Sequence, residues 1–215
     1  MAGAMTNQGT LAWPMTRAMA TRPNAEAIVD GETRLTYAQW SRRVRGLTAG
    51  LRSLGLRTGD VVASIGQNSF RHLECWVGIP AAGMVLNDLN YRLAVPELEF
   101  IINDCGARAI IADGAYLEVA LQLKPRCPSL EYLVYSGIEA TPGGWVHWDD
   151  LCAATPLDED HSELRGIAAD TLAAISYTGG TTGLPKGVMQ SHGNLLANAK
   201  HMLLANPLMP TDRFI

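Results

Sequence analysis

The sequence has no long run of lysine or arginine and none of the close cysteine or histidine spacings that hold metals. Its 215 residues carry a formal net charge of −4, which argues against a nucleic-acid surface because binding a phosphate backbone requires clustered cations. The four cysteines contain no C-x-x-C pair, and the five histidines show neither H-x-x-x-H nor H-E-x-x-H spacing. We therefore interpret the cysteines as reduced, buried thiols and expect no metal site built by protein ligands alone. The cysteines are Cys75, Cys105, Cys127 and Cys152.

The first 26 residues lack a continuous apolar run, because polar residues and prolines interrupt them. They predict neither a signal peptide nor a membrane span, and we expect a cytoplasmic protein. The whole chain is 47% hydrophobic and 18% charged, which is enough to bury a core in one domain, or in one domain plus part of another. We expect an N-terminal α/β subdomain over residues 1–165 and the start of a following, truncated subdomain over residues 166–215.

Short apolar strands alternate with amphipathic helices through the first two thirds of the chain. A hairpin around Gly31 comes first, and a helix from about Thr36 to Leu54 follows it, with Thr36 as the N-cap. Strand and helix patterns then alternate to about residue 136. This order predicts an α/β fold with a mostly parallel β-sheet flanked by helices. Because the strands are continuously apolar, we expect the sheet to be covered on both faces.

Residues 141–170 change in character to proline, glycine and acid. We interpret this stretch as a surface connection with one short helix near residues 149–153. Clustered acids can form a metal or acid/base site, but in a turn-rich stretch they are more typical of a solvated loop, so we assign them no chemistry. The acids are Asp158, Glu159, Asp160 and Glu163.

The stretch YTGGTTGLPKG, residues 177–187, contains four glycines, three threonines and one lysine in eleven positions. A predicted buried strand over residues 171–178 precedes it, and a predicted helix capped by Ser191 follows it. Glycines let backbone N–H groups approach a polyanion, threonine hydroxyls can donate to phosphate oxygens, and lysine adds a positive charge. The combination predicts a phosphate-binding loop over residues 176–187 rather than a mobile glycine turn.

The nearest competing motif, the Walker A loop, does not fit this stretch. Pro185 precedes Lys186 and Gly187 follows it, so the magnesium-binding hydroxyl that comes after the lysine in a Walker A loop is missing. His192 lies just past the loop and could act as a general base. Because it begins a predicted helix, a capping or packing role is the favoured interpretation.

The loop resembles the signature of the adenylate-forming (AMP-binding) superfamily, whose usual form is Tyr-Thr-Ser-Gly-Ser/Thr-Thr-Gly-x-Pro-Lys-Gly. Gly179 stands where serine is commonest, which removes one hydroxyl but keeps the backbone donors and the lysine. Residues 22–40, 51–69 and 89–113 resemble successive N-terminal segments of the same superfamily. Within them, Asn-Tyr-Arg-Leu at residues 90–93 is similar to the Asn-x-Arg-Leu of carboxylate–CoA ligases of the acyl-CoA synthetase type.

The resemblance implies the N-terminal part of an ATP-dependent carboxylate–CoA ligase, with a fatty acid as the expected substrate class. Members of the superfamily join a carboxylate to ATP, releasing pyrophosphate and an acyl-adenylate, and the CoA thiol then displaces AMP to give a thioester. The implied cofactors and partners are therefore ATP, Mg²⁺, CoA and a carboxylic acid. Lys186 is the expected catalytic residue. The residues expected to bind the phosphates are Thr178, Gly179, Gly180, Thr181, Thr182, Gly183 and Lys186.

Several segments of the superfamily do not occur in these 215 residues, including the acid that helps to hold Mg²⁺ and the catalytic lysine of the C-terminal domain. We therefore expect this chain to be inactive by itself and to self-associate through apolar surface that a longer chain would cover. Two other hypotheses remain: a stand-alone module that binds phosphate or nucleotide, and a fragment that acts only through protein contacts. The residues do not identify the acid.

Overall fold

A computed structural model describes residues 9–154, 167–179, 183–206, 208, 209, 212 and 213. The strands are β1 (Glu26–Asp30), β2 (Thr33–Thr36), β3 (Val61–Ile65), β4 (Val85–Asp88), β5 (Ala109–Ala112), β6 (Tyr132–Tyr135), β7 (Val146–His147), β8 (Leu172–Thr178) and β9 (Lys186–Ser191). The helices are α1 (Ala12–Thr21), α2 (Tyr37–Ser53), α3 (Phe70–Ala81), α4 (Val95–Cys105), α5 (Leu117–Leu123), α6 (Trp148–Cys152) and α7 (His192–Ala205). Among these helices, none combines the length and apolar character that crossing a membrane requires.

Seven strands form one sheet in the order β7-β6-β5-β3-β4-β8-β9, and β1 and β2 form a separate antiparallel pair. All neighbours in the large sheet run parallel except β8 and β9, which form an antiparallel hairpin. The prediction of a mostly parallel sheet flanked by helices is therefore confirmed. Strand β3 lies at the centre of the sheet, with β4 on one side of it and β5 on the other.

Helices cover both faces of the sheet, as the apolar strands predict. Every residue of β3 and of β5 is buried. One cluster of buried side chains joins the sheet to α4 and α5, and a second joins the opposite face to α2, α3 and α6. The central strands thus have no solvent-exposed face, which is the arrangement expected of a parallel sheet.

Local sequence signals account for several helix ends. Thr36 and Gln39 form a capping box at the start of α2, where the Gln39 N–H donates to Thr36 Oγ1 at 3.3 Å. Ser69 caps α3 by accepting from the His72 N–H at 3.2 Å. At the C-terminal end of α4, Gly106 adopts a left-handed conformation with φ 63°, which a glycine tolerates without steric cost.

Three elements were not predicted from the sequence. Helix α1 precedes the first predicted hairpin, β7 lies in the stretch that we interpreted as a surface connection, and β9 occupies residues that we expected to link the loop to α7. Most residues of β9 are exposed and carry no alternating apolar pattern, so the pairing with β8 stabilises this edge strand rather than its own composition. Lys186 therefore begins a strand instead of ending a loop.

The predicted boundary between two subdomains, at residues 165 and 166, lies outside the described ranges. On its C-terminal side, β8 joins the large sheet by pairing with β4. The division of the chain into residues 1–165 and 166–215 stays a prediction.

A buried ion pair connects the helices on one face of the sheet. Glu74 on α3 is fully buried and accepts from Arg43 of α2 at 2.6 and 3.0 Å and from Trp148 Nε1 of α6 at 2.9 Å. Arg43 also donates to Asp149 at 2.8 Å. The Glu74 carboxylate thus has several donors, which is the condition under which burying a charge is tolerated.

Removing the Glu74 carboxylate should destabilise the fold strongly, because the partly buried Arg43 guanidinium keeps only Asp149 as an ion-pair partner among the described residues and the buried Trp148 Nε1–H loses its acceptor. We expect Glu74→Ala to lower the free energy of unfolding by about 3–5 kcal/mol. The matched control is Glu99→Ala, which removes a partly exposed carboxylate 3.4 Å from Arg126 and should cost no more than about 1 kcal/mol. Urea denaturation measures both, and equal losses in the two variants would contradict the role given to Glu74.

Candidate functional site

The predicted phosphate-binding segment forms the tip of the β8–β9 hairpin. Strand β8 ends at Thr178 and β9 begins at Lys186, and these two residues are register partners. Opposed residues in an antiparallel pair have Cα atoms about 4.5–5.5 Å apart, so the threonine and the lysine lie side by side at the end of the hairpin where the connecting residues 179–185 begin. Residues 179–185 connect them, and of these Gly180, Thr181 and Thr182 lie outside the described residues.

The described residues of the segment face solvent. Thr178, Gly179, Gly183 and Lys186 are all exposed. Around Gly179 and Gly183, no described atom apart from the glycine itself and its chain neighbours lies within 4 Å of the position that a Cβ would take. The described backbone of the tip is therefore accessible to a ligand and is not part of the core.

The hairpin lies at the edge of the sheet where ligands bind in open α/β folds. Strands β3, β4, β5 and β8 are parallel, so their carboxyl ends meet at one edge. Residues 90–93 follow β4 and Asp113 follows β5, which places them on the same edge as the hairpin tip. Ligands of such sheets bind outside this edge.

A histidine–aspartate pair lies on the same edge. His72 Nε2 and Trp76 Nε1 both donate to Asp88 Oδ2, at 3.3 and 3.2 Å. The hydrogen bond to Asp88, opposed by burial, raises the pKa of His72. The raised pKa favours the charged form of His72, which offsets the negative charge of Asp88 at the end of β4, next to the strand that carries the hairpin.

Packing around Tyr177 holds the end of β8 in place. The Tyr177 hydroxyl donates to Asp104 Oδ2 of α4 at 2.5 Å, and burial together with this hydrogen bond raises the pKa of Tyr177. On β9, a Cβ at Gly187 would lie 2.9 Å from Ile175 and 3.1 Å from the Tyr177 ring, so glycine allows the two strands to approach. The role of Asp104 had no signal in the sequence, since it is 73 positions from Tyr177.

His192 has a packing position at the start of α7. It is fully buried, and its Nδ1 accepts from the Leu11 N–H at 3.1 Å, which ties the beginning of α1 to the beginning of α7. Its Nε2 is buried with no hydrogen-bond partner among the described residues. Burial lowers the pKa of His192. The favoured interpretation of His192 as a packing residue agrees with this position, which solvent cannot reach.

The remaining candidate groups carry no chemistry in the described ranges. The four cysteines are free thiols, and Cys75, Cys127 and Cys152 are buried as predicted, whereas Cys105 is partly exposed. The acids at residues 158–163 lie outside the described residues. Within the part of the chain that the structure describes, no group of three or more His, Cys, Asp or Glu side chains could hold a metal ion.

The glycine- and threonine-rich hairpin lies at the carboxyl edge, where open α/β sheets bind their ligands. The sequence model described as "AMP-binding enzyme" matches residues 15–215. The chain therefore belongs to the AMP-binding enzyme family, and the resemblance found in the motifs is confirmed.

Relatives of known name agree with this assignment. The chain is 37% identical over 209 residues to a feruloyl-CoA synthase of Amycolatopsis sp., a match that covers 97% of this chain and 38% of that protein. It is 34% identical over 166 residues to a long-chain-fatty-acid–CoA ligase of Thermus thermophilus, covering 77% and 29%. The chain thus spans well under half the length of the curated relatives that it matches.

Solved structures show the same fold. An ATP-bound MatB from Rhodopseudomonas palustris superposes with a TM-score of 0.75 at 26% identity, covering 95% of this chain and 39% of that one. An anthranilate CoA ligase, AuaEII, in complex with anthranoyl-AMP superposes with a TM-score of 0.80 at 25% identity, covering 89% and 36%. The architecture described above is therefore that of a region shared with CoA ligases.

The buried His192 should make stability depend on pH. Its pKa in the folded chain lies below the unfolded value of about 6.5, so the unfolded chain binds more protons and stability falls as the pH drops below that value. The slope from one such proton is at most about 1.4 kcal/mol per pH unit. Urea denaturation at pH 7.5 and at a series of lower pH values measures it.

His192→Asn is the matched control, because its amide oxygen can accept from the Leu11 N–H but does not titrate. His72 contributes with the opposite sign, since its raised pKa stabilises the fold at low pH and this contribution is lost as the pH rises. Comparing the wild type with His192→Asn cancels that contribution. If both proteins lose the same stability on acidification, His192 is not the cause.

Proposed function

We propose that this chain provides the polyphosphate-binding hairpin of an AMP-forming carboxylate–CoA ligase. The observation that carries the proposal is the pairing of Thr178 with Lys186 at an exposed, glycine-lined hairpin tip on the carboxyl edge of the sheet. A hydroxyl, an ammonium group and open backbone at one place form the donor set that phosphate oxygens require. Membership of the AMP-binding enzyme family supports the same function.

The described residues fit a phosphate group and not a metal. No carboxylate forms an ion pair with Lys186 within the described ranges, so its charge is available to an anion. We assign none of these residues to Mg²⁺ or to CoA. In the proposed enzyme, Mg²⁺ would be a cofactor that neutralises phosphate charge, and CoA would be the thiol co-substrate.

In the proposed first step, a carboxylate oxygen attacks the α-phosphorus of ATP and the bond to the β-phosphate breaks. Negative charge builds on the departing pyrophosphate, and donors held in position before the reaction lower this barrier. Lys186 supplies the full positive charge, and Thr178 with the glycine backbone supplies hydrogen bonds. We extend the same binding role to Gly179, Gly180, Thr181, Thr182 and Gly183. In the second step, the CoA thiol attacks the acyl carbonyl and AMP leaves.

The acid is proposed only by class. The named relatives include synthases and ligases of feruloyl, long-chain and medium-chain acids, and we propose a fatty acid as the first substrate to test. ATP–pyrophosphate exchange by the natural polypeptide that contains these residues, measured with fatty and aromatic acids in turn, would identify it. Exchange stimulated by no carboxylate, together with ATP binding by the 215-residue chain, would favour a stand-alone nucleotide-binding module.

Lys186→Ala should weaken pyrophosphate binding by the 215-residue chain without affecting the fold, because the side chain is exposed and has no ion-pair partner there. Loss of one charge-assisted hydrogen bond, about 1.5–3 kcal/mol, corresponds to roughly a 10- to 150-fold higher Kd. Isothermal titration calorimetry measures binding, and thermal melting checks the fold. The same variant should slow pyrophosphate exchange in the natural polypeptide.

Lys200→Ala is the matched control, since Lys200 is an exposed lysine on α7 and its removal changes the net charge by the same amount. It should bind pyrophosphate like the wild type. Equal weakening in both variants would mean that the chain attracts phosphate only through its overall charge. Wild-type affinity in Lys186→Ala would remove the role proposed for this lysine.

We further propose that the 215-residue chain self-associates through the exposed side of α7. Met202, Leu203 and Leu204 are 57%, 49% and 82% exposed, and contiguous apolar surface of this kind promotes association. Leu204→Lys should shift sedimentation-velocity profiles toward monomer. Ile138→Lys, which changes an isoleucine that is 86% exposed outside α7, should leave them unchanged. A clean wild-type monomer at high concentration would contradict the proposal.

A further inference from the structure

The junction between β4 and β8 differs from the other parallel junctions of the sheet. Strands β3 and β4 pair through four successive residues, and so do β3 and β5. In contrast, β4 and β8 pair only at Leu86 and Ala174. Beyond Ala174 the ladder between these strands stops, although β8 continues for four more residues to Thr178.

A side chain replaces the missing ladder. Asn87 follows Leu86 in β4 and is 1% exposed, and its Nδ2 donates to the backbone carbonyl of Ile175 at 2.9 Å. The next carbonyl of β8 after the last paired residue is thus satisfied by an amide side chain instead of a neighbouring backbone. The strand is held beside β4 but not in the ladder.

The same residue carries an uncompensated cost. Asn87 Oδ1 is buried and has no hydrogen-bond partner among the described residues. A buried acceptor without a partner costs about 1–3 kcal/mol, and such groups in a native structure call for an explanation. An apolar side chain would avoid this cost but would leave the Ile175 carbonyl without its donor, so the asparagine exchanges one unpaired acceptor for another and stability alone does not account for it.

The position of the junction offers an explanation. Ile175 lies three residues before Thr178, and a second hydrogen bond to this stretch from outside the hairpin joins Tyr177 to Asp104. Together these two hydrogen bonds connect the end of β8 to β4 on one side and to α4 on the other. A shift of the backbone at Ile175 would therefore move Thr178 and its partner Lys186.

We propose that Asn87 is a positioning residue that sets where β8 presents the Thr178–Lys186 end of the hairpin, and thereby controls how tightly polyphosphate binds. It acts through β8 and does not contact the phosphate. The inference rests on the proposed function of the hairpin, because it gives Asn87 a role in that same site. Asn87 lies 88 positions from its partner Ile175 in the sequence and outside the glycine-rich segment.

Asn87→Leu is the main test, because leucine has a similar size and cannot donate to the Ile175 carbonyl. We expect pyrophosphate to bind about tenfold more weakly to this variant, the effect of roughly one hydrogen bond on the geometry of the site. Amide hydrogen exchange in peptides covering residues 172–179 should become faster, while exchange in β3 and β5 stays unchanged. Because the unpaired Oδ1 disappears with the donor, the melting temperature should change little.

Thr48→Val is the matched control. Thr48 is fully buried, and its hydroxyl donates to the Val44 carbonyl at 3.1 Å on α2, away from the hairpin. The substitution removes a buried hydrogen bond at similar volume and should leave pyrophosphate affinity and exchange of residues 172–179 unchanged. If it weakens binding as much as Asn87→Leu, the effect is one of general stability and the inference is wrong.

Two measurements keep the test decisive. If Asn87→Leu does not fold, Asn87→Ser replaces it, since the shorter hydroxyl cannot reach Ile175, and the same weaker binding and faster local exchange are expected. Wild-type affinity together with wild-type exchange in a folded Asn87 variant overturns the inference. If the wild-type chain itself binds no pyrophosphate, the proposed function fails, and the exchange of residues 172–179 still shows whether Asn87 positions β8.

Discussion

The parallel ladder of β3, β4 and β5 is the constraint on which the rest of the structure depends. These strands are buried on both faces, so each of their backbone polar groups needs a partner within the sheet. The interior can satisfy this requirement only where strands run in register. Polar side chains therefore gather at the two edges of the sheet, where the ladder ends and the connections meet solvent, and those proposed to bind phosphate lie at the carboxyl edge. The glycine-rich hairpin, the His72–Asp88 pair and residues 90–93 all lie on this edge for the same reason.

Two buried polar side chains make connections that the backbone hydrogen bonds of this ladder do not provide. Glu74 connects α2, α3 and α6, three helices that lie against the sheet without sharing backbone hydrogen bonds with it. Asn87 connects β4 to β8 beyond their single backbone pair. Each replaces a regular backbone pattern with one directed side-chain contact. Removing Glu74 takes an acceptor away from Arg43 and Trp148, whereas removing Asn87 takes the donor away from the Ile175 carbonyl but also eliminates the unpaired Oδ1.

The proposed phosphate site combines an exposed hairpin tip with a strand end that is fixed by hydrogen bonds. The end of β8 is anchored through Ile175 and Tyr177, while Thr178, Lys186 and the neighbouring glycines face solvent. A polyanion site needs both properties, because its donors must be accessible and must already be in position when charge develops. Family membership and the shared fold with CoA ligases agree with this arrangement. In the proposed function these hairpin residues bind phosphate, and we assign none of them to the acid or to the thiol.

The sequence by itself determined the alternation of strands and helices, the cap at Thr36, and the position of the glycine-rich segment proposed to bind phosphate, because these depend on neighbours within a few positions. Only the tertiary structure decided that β9 is a strand, since its exposed residues form one only against β8. It also decided the contacts of Asn87 with Ile175, Asp104 with Tyr177 and Leu11 with His192. These partners are 88, 73 and 181 positions apart. No local pattern encodes such pairs, because the chain brings them together only when both layers of helices pack on the sheet.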